Sequence, residues 1–168
     1  MNIDPFLLWL ESTALSQWVV GSPSLFAFPG ILALHAIGMG FAVGICLALD
    51  LRVLGVAPGV QVAQMRRFVP IVWVAFWINA ISGVLLLIGY PTKALTNPVF
   101  YLKLLLIAVG LVLFGRIGRR VFDDAAGDRQ AESPAVRRLA IVSMVCWVGA
   151  ITAGRFLAYT YSRLTALD

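Results

Sequence analysis

The stretch FVPIVWVAFWINAISGVLLLIGY, Phe68–Tyr90, runs 23 residues without a charged side chain. At about 1.5 Å of rise per residue, a helix of that length crosses the ~30 Å hydrocarbon layer of a bilayer. Lipid supplies no water to backbone amides, so a helix that satisfies its own amides is the expected form. Three further runs share this character: Leu25–Leu49, Val99–Gly115 (continuing to about 117) and Leu139–Tyr161. The chain therefore reads as an all-α membrane protein, a four-transmembrane-helix bundle with spans at about 25–49, 68–90, 99–117 and 139–161. Composition agrees: 12% of residues are charged, against about 25% in soluble domains, and mean hydropathy is +0.92. In 168 residues these spans leave no room for a second folded domain. Residues 1–24 form an N-terminal segment and residues 25–168 the transmembrane domain.

The net charge of +5 is distributed unevenly. Arg52, Arg66 and Arg67 lie in the first loop, and Arg116, Arg119, Arg120, Arg129, Arg137 and Arg138 lie in or beside the third. The second loop holds only Lys93, and the first 24 residues hold neither Lys nor Arg. Positive loops stay cytoplasmic, so loops one and three are expected inside and both termini on the periplasmic or exterior side. The basic balance is a topology signal and points away from nucleic acid.

The N-terminus does not read as a cleavable signal, since it lacks a basic leader and carries Asp4 and Glu11. Asp4 and Pro5 read as a cap and first helical residue, opening a short interfacial helix to Val20 with Trp9 and Trp18 at headgroup level. Gly21–Ser24 breaks it. Asn97-Pro98 and Ser133-Pro134 repeat the cap-plus-proline pattern ahead of spans three and four. Pro29 and Pro70 fall near span beginnings, where a missing amide costs little. Asp123–Ala135 is the one long polar loop. Cys46 and Cys146 are expected to remain thiols, as both fall toward the reducing side.

Polar groups inside hydrocarbon usually mark a pathway, a ligand or a partner. At the helical rise, His35 and Asn79 lie roughly 15 Å from the outer end of spans one and two, Ser82 and Thr152 roughly 12–14 Å, and Lys103 and Arg155 roughly 6–9 Å. The outer half thus receives polar groups from every span, while the inner half is almost wholly apolar apart from Asp50 and Arg52, which read as an interfacial ion pair or helix-end anchor. Lys103 and Arg155 either snorkel to headgroups or turn inward. Asn79, Ser82 and Thr152 either bond between helices or back onto carbonyls. The outer half holds two cations and no carboxylate, so an anion from outside is expected to complete it: a haem propionate, a lipid phosphate or a small carboxylate. His35, Asn79, Lys103 and Arg155 are the candidate cofactor-binding residues. His35 is the candidate metal ligand if haem b is bound. Met39 shares its helix face and so cannot be the opposite axial ligand; Met144 or a second copy's His35 remain open. Gly40 and Gly44 have the Gly-x-x-x-Gly spacing of close helix packing.

The segment HAIGMGFAVGICLALDLRVLG (His35–Gly55), with SGVLLLIGY (Ser82–Tyr90), NPVFYLK (Asn97–Lys103) and the Trp147–Tyr159 pattern W-x-G-x-x-x-A-G-R-F-x-A-Y, resembles an uncharacterised bacterial four-helix integral membrane family, a domain of unknown function. More distantly it is similar to copper-resistance D-type and b-type cytochrome membrane modules. The resemblance implies a multi-pass protein of the bacterial cytoplasmic (inner) membrane, with His35, Asp50, Arg52, Lys103 and Arg155 as pattern positions. The single histidine departs from the two-haem cytochrome pattern. The expected function is a binding or accessory subunit that holds a haem, quinone or anionic lipid, partnered by the bilayer and by other membrane subunits or its own copies. The alternative is a small solute or ion transporter acting as an oligomer. Independent catalysis is not expected, because no nucleophile–base pair is present.

Overall fold

The computed structural model describes residues 5–122 and 131–164. The long helices start at their prolines. Helix α3 (Phe28–Val53) takes Pro29 into its first turn, and α5 (Val69–Gly89) takes Pro70. Asn97 caps α7 (Pro98–Val121) by accepting from the Val99 amide at 3.0 Å. The Ser133 hydroxyl accepts from the Val136 amide at the start of α8 (Pro134–Leu164). These four helices are long and apolar enough to span a bilayer. Their ends differ from the hydrophobic runs, because caps and not hydropathy terminate a helix. Thus α7 continues through Arg116, Arg119 and Arg120, and α8 begins five residues before Leu139.

The N-terminal segment contains two short helices, α1 (Pro5–Glu11) and α2 (Ala14–Gly21), where a continuous helix was expected. Ser12 and Thr13 interrupt it. The Ser12 hydroxyl donates to the Trp9 carbonyl at 2.7 Å, while Thr13 donates to the Leu10 carbonyl and accepts from the Ser16 amide as cap of α2. Val19 of α2 is fully buried against Gly89, where a Cβ would lie 2.9 Å from Val19 Cγ1. Trp9 and Trp18 stay exposed. The expected Asp4 cap, Arg129 and most of the polar loop lie outside the described residues.

A short helix α4 (Val62–Met65) and a tight turn at Arg66–Phe68 lead from α3 into α5, and α6 (Pro91–Leu95) leads from α5 into α7. The spans form two tight antiparallel pairs, α3 with α5 and α7 with α8, joined along an α3–α8 seam. Gly38 creates the first pair: its absent Cβ lets the α5 backbone approach, and an added one would lie 2.8 Å from both the Ala75 carbonyl oxygen and the Asn79 nitrogen. Gly110 does the same for the second, under the Trp147 ring. A Cβ added at Gly40 or Gly44 would meet nothing within 4 Å, so the Gly-x-x-x-Gly pair makes no close helix contact among the described residues. The main apolar core lies toward the arginine-bearing end, around Leu49, Val72, Phe114, Ile117, Val121, Val136 and Trp147.

Candidate functional site

Four polar residues from three spans gather in the half of the bundle nearer α1 and α2. His35 lies flat on Gly83, where a Cβ would come within 3.1 Å of its Cε1. Its Nδ1 is 3.0 Å from the Asn79 carbonyl and 3.2 Å from Ser82 Oγ. A carbonyl only accepts, so Nδ1 carries the proton in this arrangement. Asn79 answers from the other side, its amide Nδ2 donating to the His35 carbonyl at 2.7 Å. Ser82 donates to the Ile78 carbonyl at 2.6 Å. Burial of polar groups in lipid is tolerable when each finds a partner, and this reciprocal set joins α3 to α5. His35 Nε2 has no hydrogen-bond partner among the described residues.

Lys103 turns inward. Its side chain runs along α8 beside Gly154, where a Cβ would lie 3.5–3.7 Å from Cε, Nζ and Cδ. The ammonium has no hydrogen bond or ion pair among the described residues. It lines a small cavity, about 30 Å³, together with Met39 and Ala42 of α3, Asn79 of α5 and Trp147 of α8. All four spans contribute to the wall. The volume suits one water or one oxygen-sized group.

Arg155 stands apart. It is exposed, its guanidinium 5.3 Å over the Tyr159 ring one turn away, and is absent from the cavity wall. Thr152 is exposed as well and donates back to the Val148 carbonyl at 2.8 Å. Of the four candidate residues, the structure brings His35 and Asn79 into direct contact, places Asn79 and Lys103 on one cavity, and leaves Arg155 outside it. Neither His35 nor Arg155 lines that cavity. The Nδ1-protonated tautomer would leave Nε2 free for a metal.

Trp147 was not singled out as a site residue from the sequence. It is 3% exposed, forms part of the cavity wall, and its indole N–H is buried without a partner. The readable signal is its spacing from Ala150 and Gly154 on α8, which places a large ring beside small residues on one helical face.

A second polar pair lies toward the arginine-bearing end. Asp50 is 1% exposed and faces Ser143 of α8. Neither its Oδ2 nor the Ser143 hydroxyl has a hydrogen-bond partner among the described residues. Of the two readings for Asp50 and Arg52, an ion pair or a helix-end anchor, the described residues show no ion pair between the two, and Arg52 fits the anchor. Arg52, two residues on, points to the opposite side of the helix and donates to the Val60 and Pro58 carbonyls of the loop. Cys46, one turn from Asp50, and Cys146 are buried free thiols.

No family model, curated protein or solved structure matches this chain.

Proposed function

We propose that this chain is an integral membrane binding or accessory subunit that holds the head of a lipid-soluble molecule in its polar pocket, within a larger membrane assembly. The observation that carries this reading is Lys103: an ammonium with no described protein partner, turned into a cavity that all four spans line. A positive charge at membrane depth is expensive unless something polar completes it. Of the three ligand classes weighed from the sequence, the cavity volume favours an oxygen-bearing headgroup, from a quinone or an anionic lipid, over haem. The Asn79 side chain is held in place by the His35 carbonyl, so His35 acts as a positioning residue for the pocket.

The arginine asymmetry supports an orientation with the α1–α2 end at the periplasmic or exterior face of a bacterial cytoplasmic membrane. The outward faces of Gly40 and Gly44 offer small-residue surfaces for neighbouring helices of an assembly.

The test is extraction of the protein from native membranes in mild detergent, followed by mass spectrometry of bound lipophiles. The wild type should retain a lipophile in fixed proportion, and Lys103→Met should lose it. Identical retention by both would refute the pocket. The native extract should also migrate well above an 18.2 kDa chain with its micelle. Reporter fusions at Thr92 and Gly127 check orientation; export of the Gly127 fusion with retention of the Thr92 fusion would reverse it.

A further inference from the structure

We infer that the cavity between the four spans receives a quinone carbonyl oxygen, with the quinone ring entering from the lipid between α5 and α7. This rests on the pocket reading above and narrows its ligand.

Size comes first. About 30 Å³ accommodates an oxygen-sized group such as a carbonyl oxygen. A carbonyl oxygen has two lone pairs and no proton, so it needs two donors. Two residues of the wall carry donors without described partners: the Lys103 ammonium and the buried Trp147 indole N–H. An unpaired buried donor such as the Trp147 N–H is costly, and so is an ammonium at membrane depth with nothing polar to complete it, so both gain by meeting an acceptor. Asn79 supplies the complementary group. Its Nδ2 is committed to the His35 carbonyl, while its Oδ1 has no described donor, which leaves an acceptor for the hydroxyl of the reduced ligand.

Helices α3 and α5 pack tightly, as do α7 and α8, but α5 and α7 scarcely touch. Phe76 of α5 and Ile107 of α7 line the cavity, giving an aromatic and an aliphatic wall suited to a flat ring. A lipid-soluble ligand arriving sideways needs no route through water.

The experiment is saturation binding of a radiolabelled benzoquinone with a ten-carbon tail to the full chain in phosphatidylcholine nanodiscs, corrected against empty discs. One saturable site per chain is expected. Lys103→Met should weaken it about tenfold or more, the range expected on losing a charge-assisted hydrogen bond. Ala150→Leu, which fills the wall while keeping Lys103 and Trp147, should abolish it. Thermal unfolding of each variant reports whether the fold persists, and the wild-type site is informative without them. Uptake no greater than that of empty discs overturns the inference. So does full binding by Ala150→Leu, which would place the ligand elsewhere. Repetition in discs containing phosphatidylglycerol separates the two levels. Lys103-dependent retention of the anionic lipid without quinone binding sinks the quinone assignment and leaves the pocket standing, whereas loss of both sinks both.

Discussion

Gly38→Ala should part the α3–α5 pair and loosen the polar set at its centre. A Cβ at this position would lie 2.8 Å from the Ala75 carbonyl oxygen and 2.8 Å from the Asn79 nitrogen. Ordinary contact for such atoms begins about 0.5 Å further out, and both obstacles are helix backbone that no rotamer change can remove. The two helix axes must therefore separate by roughly that distance. Overpacking of this kind costs about 1–3 kcal/mol, and rigid backbone on both sides puts Gly38 toward the upper end. The better helix propensity of alanine returns at most about 1 kcal/mol, leaving a net loss of about 1–2 kcal/mol. Gly44→Ala is the matched control in dissociated single chains: nothing in the chain's described residues lies within 4 Å of its Cβ, so only the propensity gain applies and the sign reverses. Denaturant titration of both variants in the same micelle, followed by circular dichroism, measures the difference. The His35–Asn79 bonds at 3.0 and 2.7 Å should lengthen in Gly38→Ala alone, visible as a shift of the imidazole ¹⁵N resonances. Equal stability of the two alanine variants, with unchanged imidazole signals, would refute the close-packing argument.

Gly110→Ala should destabilise by about 1–3 kcal/mol, since its Cβ would meet Trp147 Cε2 at 2.9 Å, whereas Gly115→Ala, with open space around it, should not; thermal unfolding compares them. Ser143→Ala should leave stability unchanged or raise it by up to about 1 kcal/mol, because the deleted hydroxyl is buried without an aligned partner; a clear drop in the unfolding midpoint would show that Asp50 depends on it. Arg155→Ala should cost about 0.5–1 kcal/mol through its exposed cation–π contact with Tyr159, yet leave lipophile retention at the wild-type level. Retention lost in Arg155→Ala would place that guanidinium in the site after all.

Four spans were legible in the sequence because burying the backbone in lipid demands long apolar helices, and hydropathy records that demand residue by residue. The caps at Asn97 and Ser133 were legible for a similar reason: a cap is a local hydrogen bond between residues two or three apart. The depth of His35, Asn79, Lys103 and Arg155 also followed from counting along each helix. Rotation about the helix did not. Lys103 and Arg155 have the same charge and similar depth, yet one turns beside Gly154 into the bundle and the other stacks on Tyr159 at the surface. Only the packing of α7 against α8 decides between them. The same holds for the glycines of α3: spacing drew attention to Gly40 and Gly44, while the contact with α5 is made by Gly38. Asp50 and Ser143 lie 93 residues apart in the chain and meet only because α3 and α8 share a seam. Length, polarity and caps are properties of one segment and its solvent. A shared face belongs to two segments at once, and it exists only after the helices have packed.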